Sequence, residues 1–562
     1  MLPATINNNN TSTINLLPHQ TKHVEKIWGA LIGKGEFACL DSSRTGLGKT
    51  HTALFIAQKL QRLYNLKIVI VAPNVQSIRN DDGWMNWAKR YGVIIERATT
   101  YAALRSKNEE WLYKDNINGK KGDHASPKFN SLAHQGIFII FDEFHMATRE
   151  SSTHYACAAL IRACYRNNTR CRVALLSLTP GDKIEHYVQI MRLLGLIRHT
   201  TLHKYDRSTR EYDWVKYGFG EMIHSCVIRG TDINALLNDF GRLSGPRIKY
   251  LIGYFYERYI KERICFAMPI PENTNKVTTR NCFLECYKPD LENLNNAIDR
   301  LCEGVNWNGF SIDEKKEWNI GQINIALKLI ERYKLRTIAR YIKQRSLENP
   351  NKKFVVSMGS RCTEHFSMMK EILSSQEVTI PIGIEIMLKK ARKDRFNVWS
   401  RLNKDLFNLI LSKAYKPKID IMHGETRVDT RIKTLRRFQS PGSDCWCLLI
   451  SPGVGDKSIS LQDIHGNSPR ELIISPDHFH TRVVQSSGRI DRVGVASDVE
   501  VSIVYCKETR LETSIVKSMV AKSVIASAML APGQSHKFPG KYDIWVEKDQ
   551  ENKVRDEIVA KW

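Results

Sequence analysis

The stretch that most constrains this chain is Ser42-Ser43-Arg44-Thr45-Gly46-Leu47-Gly48-Lys49-Thr50. It follows the short apolar run Phe37-Ala38-Cys39-Leu40 and precedes His51-Thr52-Ala53-Leu54-Phe55-Ile56-Ala57. That order reads as strand, glycine-rich loop, helix. Gly46 and Gly48 let the backbone take positive φ and come close to a ligand. The N–H groups of such a loop, backed by a helix N-terminus, cradle a polyphosphate. Lys49 would then neutralise β- and γ-phosphate oxygens, and Thr50 would hold Mg2+. Ser43 stands where the strict pattern has its first glycine, so the match is to the looser small-x-x-G-x-G-K-T form. Taken alone, the stretch also admits a plain glycine turn.

Three further runs read as strands buried on both faces of a parallel sheet. Lys67-Ile68-Val69-Ile70-Val71-Ala72 ends at the turn Pro73-Asn74. Ile137-Phe138-Ile139-Ile140-Phe141 ends in Asp142-Glu143-Phe144-His145. There Asp142 can hold Mg2+ through water, and Glu143 can orient or deprotonate an attacking water. Val173-Ala174-Leu175-Leu176-Ser177-Leu178-Thr179-Pro180 ends in Thr-Pro, and its hydroxyls could sense a γ-phosphate and pass that state to nucleic acid. Upstream, Leu16-Leu17-Pro18-His19-Gln20 opens a helical pattern. The Gln20 amide both donates and accepts, as an adenine edge requires; a surface helix start is the alternative. Trp84 and Trp87 could stack on bases, but filling a core is the better reading.

The second half repeats the strand-then-helix pattern from Lys353-Phe354-Val355-Val356, through Ile419-Asp420-Ile421-Met422-His423-Gly424, to Cys447-Leu448-Leu449-Ile450 and Leu472-Ile473-Ile474. It ends in Gln485-Ser486-Ser487-Gly488-Arg489-Ile490-Asp491-Arg492-Val493-Gly494. Arg489 and Arg492 are three apart, which places them on one helical face. Two guanidiniums there could stabilise charge on a transferred phosphoryl group, as arginine fingers do, while Gln485 positions water or phosphate.

Between the halves the character changes. Arg247–Ile264 and Trp318–Gln344 carry helical spacing with many basic and tyrosine residues, Tyr250, Tyr254, Tyr256 and Tyr259 among them. Basic and aromatic residues together can grip a nucleic-acid strand; a solvated amphipathic helix fits equally. Met387–Tyr415 is a second basic stretch. With Lys+Arg 84 against Asp+Glu 59, the net charge of +25 points to a polyanionic partner, most simply nucleic acid. The 13 cysteines form no disulfide-like or zinc-like spacing, which argues for a reducing compartment: the nucleus, or the cytoplasm or virion if the chain is viral. No apolar run approaches the about 18 residues that cross a bilayer, so no membrane partner is expected. The length calls for about two to four domains.

These motifs together resemble a superfamily 2 helicase-type ATPase, and more narrowly the Swi/Snf-type DNA translocases. The resemblance spans roughly residues 16–522. Leu17-Pro18-His19-Gln20, Thr45 to Thr50, Asp142 to His145, Leu178-Thr179-Pro180, His423 to Thr426 with Arg431 and Phe438, Ser451 to Leu461, and Gln485 to Gly494 carry it. It implies an α/β fold: two RecA-like doubly wound parallel-sheet lobes with a mostly helical insertion. Expected boundaries are a flexible tail at 1–13, a nucleotide-binding lobe at 14–200, the insertion at 201–350, a second lobe at 351–522 and an extension at 523–562. The resemblance implies ATP and Mg2+ as cofactors. It assigns nucleotide binding to His19, Gln20, Thr45, Gly46, Leu47, Gly48, Lys49 and Thr50, and the metal to Thr50 and Asp142. It makes Glu143 the catalytic carboxylate and gives finger roles to Arg489 and Arg492, beside Gln485. In such proteins the Pro73-Asn74 turn and the Ser451 loop approach the backbone of the tracked strand.

The expected activity is ATP-driven movement on nucleic acid, DNA before RNA, in transcription or replication and with protein partners of those processes. Similar chains occur in large DNA viruses. An RNA helicase, a non-hydrolysing scaffold and a transcription-complex subunit are the alternatives. Asp456 and Ser458 replace glycines usual in the Ser451 loop, Leu178 replaces a glycine before Thr179-Pro180, and Asp463–Arg470 looks inserted.

Overall fold

Every residue of Ile137-Phe138-Ile139-Ile140-Phe141 is apolar, so a strand built from it must be covered on both sides. In the structure it is. Ile137, Ile139 and Phe141 pack with Val69, Val71, Val173 and Leu175 on one face. Phe138 and Ile140 pack with Ile68, Ile70 and Ala174 on the other.

The computed structural model describes residues 15–534 with breaks at 107–109, 118–119, 200–201, 203, 207–210, 214–217, 227–250, 271–276, 358–417, 423–425, 451–458, 478–479, 493 and 507–508. Between 284 and 348 it describes scattered positions only. The 1–13 tail, Tyr250, Met387–Tyr415, His423-Gly424-Glu425, the Ser451 loop with Asp456 and Ser458, and the far C-terminus lie outside the described residues.

Two units are present, one built on the chain up to Glu272 and on Ile525–Ser535, the other within Asn273–Val524. The first holds a six-stranded sheet in the order β10-β1-β7-β6-β2-β3. Its strands are β1 (Ala38–Asp41), β2 (Lys67–Ala72), β3 (Ile95–Thr100), β6 (Ile137–Asp142), β7 (Arg172–Leu176) and β10 (Cys265–Phe266), all parallel. Two antiparallel hairpins, β4–β5 (Leu112–Ile117, Lys120–Ala125) and β8–β9 (Lys204–Asp206, Glu211–Asp213), stand apart from it. Helices α1 (Pro18–Trp28), α2 (Lys49–Tyr64) and α4 (Trp84–Tyr91) cover one face, with α3 (Val75–Arg79) leading into α4. Helices α5 (Pro127–Gln135), α6 (Ser152–Asn167) and α7 (Glu185–Leu193) cover the other.

The second unit holds another six-stranded parallel sheet, in the order β11-β16-β15-β12-β14-β13. Its strands are β11 (Val277–Phe283), β12 (Lys353–Ser357), β13 (Lys418–Met422), β14 (Cys445–Ile450), β15 (Arg470–Ile474) and β16 (Val499–Tyr505). Alternate residues again divide between two cores. The chain is an α/β protein of two RecA-like parallel-sheet lobes.

The lobes draw on more of the chain than the 14–200 and 351–522 limits. Within 201–350, β10 joins the first sheet and β11 the second. Both are short or polar enough to hide from a periodicity argument; Val277-Thr278-Thr279-Arg280-Asn281 has little apolar content. Beyond 523, Met529 and Ala531 enter the core of the first unit. The tyrosines near 250–260 serve that core as well. Tyr256 is fully buried and donates to Met529 O at 2.9 Å, while Tyr254 and Tyr259 pack against the cluster. The eight cysteines whose side chains are described, Cys39, Cys157, Cys164, Cys171, Cys265, Cys445, Cys447 and Cys506, are free, and no described helix is long and apolar enough to cross a membrane.

Two buried histidines in the first unit are neutral for structural reasons. His154 Nδ1 donates to Ala147 O at 2.8 Å, and its Nε2 is buried without a partner. His186 Nδ1 accepts the Asp182 N–H at 3.1 Å, which a protonated ring nitrogen cannot do. Burial pushes both down to about 4, against the opposing pull of the Ala147 carbonyl and of Asp182. The unfolded chain therefore takes up two protons that the fold refuses. Their contribution is fully present above pH about 6.5 and is lost as pH falls toward 4, at up to about 1.4 kcal/mol per pH unit for each ring. Urea unfolding of the native chain followed from pH 7 to 4.5 should show this slope, and the His154→Asn/His186→Asn pair should flatten it.

Candidate nucleotide site

Strand β1 ends in Asp41, the loop Ser42–Gly48 follows, and α2 begins at Lys49. Gly46 and Gly48 have φ of 83° and 95°, the left-handed region that a side chain resists. Gly48 has a second reason to lack Cβ, which would lie 2.2 Å from Gln20 Nε2. Lys49 Nζ donates to Ser43 O at 2.6 Å and lies 3.4 Å from Arg44 O, so its ammonium sits inside the turn of the loop.

The root of the loop is held by charge. Asp41 is fully buried. Its Oδ2 accepts from His23 Nε2 at 3.0 Å, and its Oδ1 accepts the Ser43 N–H at 2.9 Å and the Ser43 hydroxyl. Burial works to raise this carboxyl, but the His23 charge and hydrogen bond, Lys49 and the Ser43 hydroxyl outweigh it and hold it below the usual range. Ser43 Oγ also accepts the Met268 N–H at 2.8 Å. The hydroxyl that replaces the usual glycine is thus a latch joining the loop, β1 and the segment after β10.

Gln20 is buried at the first turn of α1. Its Oε1 accepts the Leu17 N–H and its Nε2 donates to Leu47 O, both at 3.0 Å. The amide expected to read a base edge instead caps its own helix and braces the phosphate loop. His19 Nε2 is buried with no hydrogen-bond partner among the described residues. Thr45, Leu47 and Thr50 take their places in the loop and at the start of α2, with Leu47 buried.

Strand β7 lies between β1 and β6, so the ends of all three meet. Leu176 is the register partner of both Asp41 and Asp142. Asp142 Oδ2 accepts from Trp84 Nε1 at 2.9 Å, and its carbonyl accepts from Tyr101 OH at 2.9 Å. Burial first, then the neighbouring Glu143 charge, raise the Asp142 carboxyl to about 6, against the opposing Trp84 bond and Lys49. Glu143 has φ 51° and ψ 48°, a left-handed conformation that costs about 1–3 kcal/mol for a side chain of this kind. It turns the chain into the short Phe144–Ala147 helix and brings its carboxylate 3.2 Å from His145 Nδ1. The same Nδ1 lies 3.0 Å from Ser177 Oγ, which accepts the Thr179 N–H at 3.2 Å. His145 therefore couples the acids to the Thr179-Pro180 turn inside its own unit. Thr179 Oγ1 is buried with no hydrogen-bond partner among the described residues.

In the second unit, Gln485 and Arg489 are buried on the helix His480–Ile490. Arg492 lies beyond the end of that helix, and its Nε donates to Gly488 O at 3.1 Å. The single helical face expected for Arg489 and Arg492 is interrupted because the chain turns away toward Gly494, at φ 85°. Asp463–Arg470, which looked inserted, is an ordered turn. Asp463 accepts the N–H groups of His465, Gly466 and Ser468 at 3.0, 3.2 and 2.9 Å.

Sequence reasoning missed Asp41, His23, Tyr101 and Trp84 as a donor. An acid directly before a phosphate loop and a histidine on the preceding helix were the available signals. The Ser43 latch has a direct test. Ser43→Ala should lower the stability of the first unit by about 1–3 kcal/mol in chemical unfolding, because the Met268 N–H and Asp41 Oδ1 each lose a partner. Ser43→Gly, which restores the glycine usual at that place, should do no better.

Residues 13–171 match the family described as Type III restriction enzyme, res subunit. A mimivirus protein, the putative ATP-dependent RNA helicase L364 of Acanthamoeba polyphaga mimivirus, is 23% identical over 92% of this chain and 84% of its own length. Among solved structures, the Sulfolobus solfataricus SWI2/SNF2 ATPase core in complex with dsDNA covers 90% of each chain at 13% identity, with a TM-score of 0.28. The phosphate loop and the acid pair meet at the end of one parallel sheet, in a chain similar over residues 13–171 to that family and over most of its length to a viral protein named as an ATP-dependent helicase.

Proposed function

We propose that the chain converts ATP hydrolysis into movement along duplex DNA. The observation that carries the reading is the meeting of the Lys49 loop, Asp142-Glu143 and Ser177–Thr179 at the ends of adjacent parallel strands, with His145 linking Glu143 to Ser177. Lys49 exchanges the Ser43 and Arg44 carbonyls for phosphate oxygens. Glu143, held in a fixed turn and paired with His145, orients the attacking water and takes its proton. Thr179 presents its hydroxyl to the γ-phosphate.

Thr50 and Asp142 offer hydroxyl and carboxylate oxygens, the hard donors that suit Mg2+. No cluster of three or more His, Cys, Asp or Glu residues that could hold a metal occurs among the described residues. That fits a cation held by one carboxylate, one hydroxyl, water and substrate phosphates. When bound, Mg2+ neutralises charge at the β- and γ-oxygens. The finger roles of Arg489 and Arg492, and the positioning role of Gln485, rest on the sequence resemblance, as does the closer likeness to Swi/Snf-type translocases.

The net charge of +25 supports a polyanionic track. Duplex DNA follows from the Swi/Snf-like motifs. RNA is the second reading, supported by the printed name of the mimivirus relative. Work in transcription or replication, in a reducing compartment, is part of the same proposal.

Turnover measured side by side with duplex DNA, single-stranded DNA and RNA decides the track: duplex DNA should stimulate most, without strand separation. RNA stimulation with unwinding would transfer the assignment to RNA. Lys49→Ala should reduce turnover by about a hundredfold or more, and Glu143→Gln by about a hundredfold while nucleotide still binds. Native turnover in either variant would refute the site. Binding to the track should weaken steeply between 50 and 200 mM salt, the range over which displaced counterions tell.

A further inference from the structure

We propose that Trp84 is a positioning residue for metal binding: its indole N–H fixes the carboxylate plane of Asp142, through which the ATP-bound Mg2+ is held. This rests on the assignment of Asp142 to Mg2+ made above.

Trp84 is almost wholly buried among the apolar residues that cover one face of the first sheet. Its ring is core, but its Nε1–H is aimed at Asp142 Oδ2 at 2.9 Å. A buried indole N–H needs an acceptor, and a phenyl ring would fill the site without that requirement. Besides the Trp84 indole, the backbone N–H of Glu143 donates to the Asp142 carboxylate, so Trp84 is the side-chain donor among the described residues. A carboxylate turns easily about its last torsion. The indole N–H on Oδ2, acting with the Glu143 backbone N–H, sets the plane and the direction in which the group meets a cation. The backbone of the same residue is pinned by Tyr101 OH.

The chain is shaped to bring Trp84 there. Gly83 precedes α4, and a Cβ on it would lie 2.8 Å from both Ile78 O and Asn80 O. The Gly83 N–H donates to Asn80 O at 2.7 Å. This tight turn follows α3, which is capped by Asn74 through the Ser77 N–H at 2.9 Å. The donor that orients the acid therefore belongs to the segment just after the Pro73-Asn74 turn.

The test is Trp84→Phe, which keeps a ring in the core and removes the N–H. A fluorescent ATP analogue is bound to the full chain at increasing Mg2+, and ATP turnover is followed over the same range. Partners that orient a metal-binding carboxylate typically contribute about tenfold or more to metal affinity. The variant should bind the analogue in EDTA as the native chain does. It should need about tenfold more Mg2+ for tight binding, and at saturating Mg2+ it should recover most of its kcat. An unchanged Mg2+ titration overturns the proposal, and Asp142→Asn separates that failure from failure of the site assignment. If Asp142→Asn loses the Mg2+ dependence while Trp84→Phe keeps it, the site stands and Trp84 is only core. If the native chain binds nucleotide without regard to Mg2+, both fall. Should Trp84→Phe not fold, Trp84→Gln and Trp84→Met, similar in length, replace it. The glutamine variant should need less Mg2+ than the methionine variant, and equal requirements would overturn the role of the N–H.

Discussion

A carboxylate with no access to water organises the nucleotide end of the first unit. An isolated ion in the position of Asp41 would cost far more than the fold can spare. It is tolerated because three donors converge on it: His23 from α1, and the N–H and hydroxyl of Ser43 from the loop itself. Removing one partner of such a pair is far more damaging than never having built it. The loop that must wrap a phosphate is therefore not shaped by its glycines alone. They permit the positive φ angles; Asp41 selects where the loop begins. The attachments continue outward. Ser42 N–H donates to Phe266 O at 2.9 Å, and Ser42 Oγ accepts the Ala531 N–H at 3.0 Å. Residues distant in the chain, on β10 and past Ile525, thus brace the first two residues of the loop.

The strand order gives this anchoring its chemical consequence. Because β7 separates β1 from β6, the loop and the acids stand one strand apart, with Ser177 at the end of the strand between them. His145 reaches from the acid turn to Ser177, so a displacement at one of the three strand ends is felt at the others. Glu143 is held in an unfavourable backbone region by what surrounds it. Phe144 is buried, the Met146 N–H closes on Glu143 O at 3.1 Å, and His154 holds Ala147 O. A rigid backbone fixes where this side chain starts, and the His145 contact holds its carboxylate end, the kind of preorganisation that lowers a barrier.

Much of this was legible in the residues. Fully apolar runs at 68–72, 137–141 and 173–176 leave no choice but strands covered on both faces, and the glycines at 46 and 48 announce their φ angles. What stayed hidden follows a physical pattern. Strands β10 and β11 are specified by their neighbours rather than by their own hydrophobicity, so a local reading passes over them. Gln20 was read for its ability to meet a base, but its amide groups are satisfied by Leu17 and Leu47, and long-range pairing cannot be seen in a string. Trp84 was read as core, which is true of its ring. The donor at the edge of the ring is revealed only when β6 and α4 are brought together. Arg492 was placed by helical arithmetic, and the arithmetic ended with the helix, at Ile490.

The second unit solves a different problem by the same means. Its central strands are largely apolar on both faces, and sliding such strands by two residues exchanges one aliphatic side chain for another. In β15 and β16 the register partners include Glu471 and Glu500, two like charges side by side. That pairing is repulsive by itself. It is made favourable by Arg345 and Lys352, each of which bridges both carboxylates, with Tyr341 and Ser502 completing Glu471. Any slip would separate the acids from the cations placed to hold both, so the cluster specifies alignment more than it adds stability. At the far end of the same strands, buried Lys334 joins Ser475, Val504 O and Glu512, and Glu512 accepts the Cys506 N–H at 2.6 Å. The two strands are thereby fixed at both ends. The helix that carries Gln485 and Arg489 follows directly from β15. The cluster thus fixes the register of the strand that precedes those side chains in the chain.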